Sequence, residues 1–108
     1  MAETATLEVA RDSGGGVHER LAGELDMSST PDVRARLYAA LGAGVQVLNM
    51  DLSGLTFLDS AGVELLFRLR EDLAMRQIPL RLYVPEDALI RRTLEVTDGG
   101  ADLIALAE

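Results

Sequence analysis

The sequence predicts a single α/β domain in which a mixed β-sheet of four or five strands carries helices mainly on one face. A chain of 108 residues has the length of one domain and can bury one modest core. Apolar residues alternate along the first part of the chain, and later they recur at helical spacing between extended apolar runs. Helices that alternate with strands cover a sheet, so the predicted order is β-β-α-β-α-β-α over residues 1–108, with no repeat and no linker.

The first part of the chain predicts a hairpin followed by a helix. Residues 5–11 and 17–25 resemble strands, and the glycine-rich segment 12–16 between them is typical of a turn. A helix is predicted to begin at Thr30-Pro31-Asp32, because threonine can cap, proline suits the first helical position and aspartate favours the positive end of the dipole. We expect this helix to end at Gly42.

The second part of the chain predicts the centre of the sheet and the long helix. Residues 45–52 are so apolar that we expect a central strand covered on both faces. The remaining predicted elements are a connection over residues 53–58, a helix from Asp59-Ser60 to about Arg76, a strand over 78–84, a helix from Pro85 to Glu95, and a tail over 98–108 with one short apolar segment.

Composition excludes several functional classes. The chain has 18 acidic residues, 10 arginines and no lysine, so its net charge is −8. An acidic surface disfavours direct binding to nucleic acid or to an anionic membrane, and it fits a protein that meets a partner protein. The absence of cysteine excludes disulfides and thiolate sites. No signal peptide and no apolar run of about 20 residues is present, so we expect a cytoplasmic protein.

Ser60 is the strongest candidate for a functional residue. The sequence Asp59-Ser60-Ala61-Gly62 follows the apolar strand and opens the predicted long helix. The free N–H groups and the dipole of a helix N-terminus favour an anion, so a phosphate on this serine is physically reasonable there. The alternative is that Ser60 or Asp59 simply caps the helix, since both residue types are common caps.

A possible docking surface accompanies this serine. On a helical wheel Leu65, Leu66, Leu69 and Leu73 share one face, which predicts the core. The other face collects Ser60, Val63, Glu64, Phe67 and Glu71. Apolar side chains beside a phosphate site suggest a surface for a partner. The alternative is that a neighbouring loop covers Phe67.

Other candidate chemistry is weak. His18 is the only histidine, and a lone strand histidine is usually structural or faces solvent. The sequence contains no metal-ligand spacing, no dinucleotide fingerprint and no P-loop, so we predict no metal, no cofactor and no catalytic residue. A hydrolase that uses Ser60 is the least favoured alternative, because no base is positioned for it.

Several motifs resemble the STAS domain of bacterial anti-sigma factor antagonists. They are Gly23-Glu24-Leu25-Asp26, the strand end Leu52-Ser53-Gly54-Leu55, the segment Asp59-Ser60-Ala61-Gly62-Val63, and Val84-Pro85 followed by the region 94–97. The family usually has a serine or threonine where this chain has Ala61, and this departure bears on the partner more than on the fold.

The resemblance implies a non-enzymatic, partner-switching regulator. Ser60 falls on the family's phosphorylated serine, so the unmodified chain is expected to bind an anti-sigma factor that is also a serine kinase, and phosphorylation is expected to release it. A PP2C-type phosphatase would reset the switch. The expected partner-binding residues are Asp26, Asp59, Ala61, Gly62, Val63, Glu64 and Phe67. The alternative is a non-switching STAS subunit of a transporter or a stress-signalling scaffold.

Overall fold

Four strands form one mixed sheet in the computed structural model, which describes residues 5–105. They are β1 (Thr6–Arg11), β2 (Gly16–Leu25), β3 (Val47–Leu58) and β4 (Leu80–Tyr83), and they lie side by side in that order. β1 pairs with β2 in the antiparallel sense, whereas β2 with β3 and β3 with β4 are parallel. The predicted hairpin and the predicted mixed sheet are therefore confirmed.

Four helices accompany this sheet in the described residues. They are α1 (Thr30–Leu41), α2 (Ser60–Met75), α3 (Arg91–Val96) and α4 (Gly100–Ala105). Their apolar faces and one face of the sheet enclose a single core, which includes the four predicted leucines of α2. The small α/β domain with helices on one face is thus the predicted fold, with α4 as the additional short element near the chain end.

The α1 boundaries agree with the prediction, but the capping residue differs. Ser29 occupies the N-cap position rather than Thr30, and its side chain does not cap the helix. The Ser29 hydroxyl instead donates to the Glu24 carbonyl (2.9 Å) and accepts from the Asp26 N–H (3.0 Å). This serine therefore fixes the loop between β2 and α1, and Pro31 supplies the helix start.

The central strand β3 is longer and less covered than predicted. Residues 53–58, expected as a connection, continue the strand to Leu58. Pairing with β2 shifts register twice along this stretch, so its apolar residues do not alternate regularly. The expectation that both faces are covered is wrong, because Asn49 and Asp51 lie on the face without helices. That open face has a depression of about 690 Å³.

The segment after β4 also differs from the prediction. The predicted helix from Pro85 to Glu95 is wrong over its first half, because a turn closed by the Ala88 N–H and the Pro85 carbonyl (2.9 Å) lies there. Only residues 91–96 are helical, and Gly99 then takes a positive φ of 80° before α4. Residues 106–108 of the predicted tail lie outside the described residues.

One carboxylate lies inside the core. Glu19 of β2 is 2% exposed, between the positions of Val9 on β1 and Met50 on β3. Neither of its carboxylate oxygens has a hydrogen-bond partner among the described residues. Burial raises the pKa of Glu19 to about 7, and the charge of Arg11 opposes this shift.

Candidate functional site

The candidate site lies where the carboxyl ends of β2 and β3 meet the start of α2. Asp59 is the N-cap of α2 and has an extended backbone, and its Oδ1 accepts the Gly62 N–H at 3.0 Å. Its own N–H donates to the Leu25 carbonyl at the end of β2 (3.3 Å). The cap therefore fixes the first turn of α2 against the neighbouring strand.

The second oxygen of Asp59 attaches the β2–α1 loop to the same point. The Met27 N–H donates to Asp59 Oδ2 at 2.9 Å. Within this loop, Asp26 Oδ1 accepts from both the Ser28 hydroxyl (2.7 Å) and the Ser29 N–H (3.0 Å). These hydrogen bonds, led by that of Ser28, lower the pKa of Asp26. Asp26 thus shapes the turn of this loop, and the loop lies beside the candidate serine.

Ser60 is exposed at the first position of α2. Because Asp59 supplies the cap, the helix does not need the Ser60 hydroxyl for that purpose. Within residues 5–105 this hydroxyl forms no hydrogen bond with another protein group, and because the residue is exposed it can be reached from outside. The capping role falls on Asp59, and phosphorylation of Ser60 stays a prediction.

Gly62 is buried in this structure, so it offers little surface to a partner, and its predicted partner contact stays a prediction. A Cβ at this position would lie 2.7 Å from the Leu25 carbonyl oxygen and 2.6 Å from Leu58 Cδ1. Only glycine lets the first turn of α2 approach the ends of β2 and β3 this closely. Gly62 therefore allows the first turn of α2, on which Ser60 lies, to pack against the ends of the two strands.

The prediction that Val63 and Phe67 form an exposed apolar patch is wrong. Val63 is only 4% exposed and belongs to the core. Phe67 is partly buried and packs on the core, with its ring beneath Gly99 of the α3–α4 turn. The Arg70 guanidinium lies 5.4 Å from the same ring. The turn between α3 and α4 therefore covers part of Phe67, as the alternative expected.

Ala61 and Glu64 remain at the surface next to Ser60. Ala61 is half-buried, and Glu64 lies one helical turn beyond Ser60 and pairs with Arg68 at 3.0 Å. Both residues line a depression between α1 and α2 of about 380 Å³.

Two exposed apolar residues at this end of the domain were missed from the sequence. Met27 is 76% exposed in the loop that Asp59 holds, and Phe57 is 47% exposed two residues before Asp59. The signal for Met27 is a large apolar residue directly after the turn-forming Asp26. These two side chains replace Val63 and Phe67 as apolar surface close to the serine.

The described residues show no second chemical centre. His18 lies near the amino end of β2 and contacts Asp12 (3.1 Å), whereas Ser60 follows the carboxyl end of the parallel strand β3. The two residues therefore lie at opposite ends of the sheet, which excludes a catalytic pair. Residues 5–105 contain no cluster of potential metal ligands and no helix long and apolar enough to span a bilayer.

Fold and site together define a small α/β protein whose notable feature is an accessible serine beside a capped helix start. The sequence profile of the STAS domain matches residues 10–102, and the chain belongs to that family. No curated protein sequence matches the chain significantly.

Several of the solved structures that resemble the chain are anti-sigma factor antagonists. One, from Mycobacterium paratuberculosis, is 24% identical with a TM-score of 0.68, and the match covers 86% of this chain and 77% of that one. Unphosphorylated SpoIIAA is 24% identical with a TM-score of 0.64, over 85% and 84% of the two chains. Phosphorylated SpoIIAA, a Bacillus cell fate determinant, is 26% identical with a TM-score of 0.62, over 94% and 87%.

Proposed function

We propose that the chain is an anti-sigma factor antagonist that works by partner switching in the cytoplasm. The unphosphorylated form binds a kinase-type anti-sigma factor and displaces the sigma factor. Phosphorylation of Ser60 by this kinase then releases the antagonist, and a PP2C-type phosphatase restores it. The chain itself is a ligand and a substrate rather than an enzyme.

The accessible Ser60 hydroxyl is the observation that carries this proposal. It lies at the first position of a helix whose cap is provided by another residue, so modification does not remove a structural hydrogen bond. The resemblance to the phosphorylated form of SpoIIAA supports the same reading, since that match extends over 94% of this chain.

The chemistry at Ser60 is a phosphoryl transfer. The Ser60 oxygen attacks the γ-phosphorus of ATP, the bond to ADP breaks, and the hydroxyl proton passes to a base of the kinase. The product gains a charge of about −1.5 to −2. The new charge lies one turn from Glu64, and like charges at this spacing repel. A partner that must desolvate this surface is therefore bound less tightly when Ser60 is modified.

The test combines labelling with binding. The chain is incubated with ATP and the kinase-type anti-sigma factor of its source organism, and the modified residue is mapped by mass spectrometry. We expect one phosphate on Ser60, none on Ser60→Ala, and normal labelling of Ser28→Ala, whose hydroxyl is also exposed nearby. For Ser60→Asp we expect affinity for the kinase to fall at least about tenfold, which corresponds to about 1.4 kcal/mol.

Two outcomes would contradict the proposal. A phosphate still found on the Ser60→Ala variant would show that another residue is the one modified. Co-purification with a transporter or a signalling scaffold, unchanged by ATP, would favour the non-switching STAS subunit.

A further inference from the structure

A groove between α1 and α2 runs beside the candidate serine. A depression of about 380 Å³ lies between the two helices, and it continues into a second one of about 310 Å³ on α1 that shares Pro31 and Arg34 with it. The α2 side of the groove begins at Ala61, the residue directly after Ser60. Its apolar surface comes from Pro31, Ala35, Tyr38, Ala61 and Leu65.

The groove carries positive charge on a strongly acidic molecule. The net charge of the chain is −8, yet the charged residues that line this groove are two arginines and one carboxylate, Glu64. Arg34 forms no ion pair with any described residue, and its guanidinium lies 5.8 Å from the Tyr38 ring. Arg68 pairs with Glu64, but both side chains are more than half exposed, so solvent screens this pair and a competing carboxylate can replace it.

We propose that this groove binds an acidic segment of the partner protein that inserts an apolar side chain between α1 and α2. The proposal rests on the partner-switching function and names the chemistry that the partner must present. An apolar floor with arginines at its rim suits a segment with a carboxylate on each side of an apolar anchor. A basic segment would meet Arg34 and Arg68, and a second acidic copy of this chain would add to the general repulsion.

This arrangement also gives the phosphate a direct target. A phosphoryl group on Ser60 would add its negative charge at the end of the groove where the acidic segment lies. It would repel the carboxylates of the partner and attract the arginines that hold them. Phosphorylation therefore weakens docking through charge, without a change in the fold.

The inference also predicts whether removing the charge of Glu64 raises or lowers the affinity for the partner. If Glu64 contacts the partner directly, its removal weakens binding. If Glu64 instead competes with the partner for Arg68, then Glu64→Gln frees the guanidinium and strengthens binding. We expect the second result, an increase in affinity of about threefold, because exposed ion pairs contribute less than about 1 kcal/mol.

The experiment measures affinity between the full chain and the kinase-type anti-sigma factor by calorimetry, at several salt concentrations. Arg34→Glu and Arg68→Glu are expected to lower affinity at least about tenfold each, and to flatten its salt dependence. Arg92→Glu is the matched control, since it makes the same charge change at an exposed site on α3. Circular dichroism verifies that all variants are folded.

The outcomes separate this inference from the proposed function. Unchanged affinity of Arg34→Glu and Arg68→Glu, with Ser60 still phosphorylated, would overturn the acidic segment and leave the switch intact. No binding of the kinase to the wild-type chain would overturn both. Self-association that Arg34→Glu abolishes, measured by sedimentation, would assign the groove to a second copy and also overturn the inference.

Discussion

Replacing the buried carboxylate Glu19 by glutamine is expected to change how stability depends on pH. Glu19 is 2% exposed, and its two oxygens have no hydrogen-bond partner in the part of the chain that the structure describes. Such a carboxyl group is stable in the core only when it is neutral. Glutamine has a similar shape and remains neutral at every pH, so Glu19→Gln removes the ionisation and little else.

The magnitude follows from the difference between folded and unfolded pKa values. Burial raises the pKa of Glu19 from 4.5 to about 7. Between these values the unfolded chain binds fewer protons than the folded one, so the free energy of unfolding falls as pH rises. At a pH below the pKa of Glu19 in the unfolded chain, its ionisation does not reduce stability. At a pH above the pKa in the folded chain, the loss of stability is complete. At 1.36 kcal/mol for each pKa unit, the full penalty is about 3 kcal/mol.

Urea denaturation at a series of pH values measures this effect. The wild type and Glu19→Gln should be similarly stable near about pH 4, and the variant should be more stable by about 3 kcal/mol near about pH 8. His18 is present in both proteins, so its contribution cancels in the comparison. Glu8→Gln, an exposed change on β1, is the control and should stay within about 0.5 kcal/mol of the wild type. Parallel pH curves for the wild type and Glu19→Gln would refute the reasoning.

Three further substitutions test the framework around Ser60. Gly62→Ala places a Cβ within 2.7 Å of the Leu25 carbonyl oxygen. Urea denaturation should therefore show a free energy of unfolding lower by about 1 to 3 kcal/mol. Gly14→Ala is the control and should cost less, because the nearest atom to its Cβ would be 3.5 Å away. Asp59→Ala removes a helix cap and should cost about 1 to 2 kcal/mol in the same assay. A urea midpoint equal to that of the wild type would count against the capping role. Tyr38→Phe deletes the hydrogen bond that joins α1 to Asp72 of α2 and should cost about 1 kcal/mol, and an unchanged urea midpoint would show that this bond contributes nothing.

The sequence predicts the elements that local signals determine. Pro31 identifies the start of α1, and the leucines at helical spacing identify α2. Both signals depend only on residues that are neighbours in the sequence. The glycine-rich turn identifies the hairpin for the same reason. The likeness of Asp59-Ser60-Ala61-Gly62 to the STAS pattern selects the position of the serine, which the structure finds exposed.

The failures concern contacts between distant parts of the chain. Val63 looks exposed on a helical wheel, but tertiary packing buries it in the core. Phe67 is covered by Gly99, whose position depends on a turn far along the chain. The stretch 53–58 resembles a loop because register shifts against β2 disturb its alternation. No pattern within a single element records any of these contacts.

The neighbouring residues Asp59 and Ser60 have separate roles, one structural and one proposed to be regulatory, and this separation suits a site that is modified repeatedly. The aspartate has the structural role, since its two oxygens hold the first turn of α2 and the adjoining loop. The serine has no such structural role among the described residues, so under the proposed switch a phosphate would be added and removed without breaking a contact that holds the domain together. The phosphate would then change the charge of the surface while the same folded domain persists through each cycle.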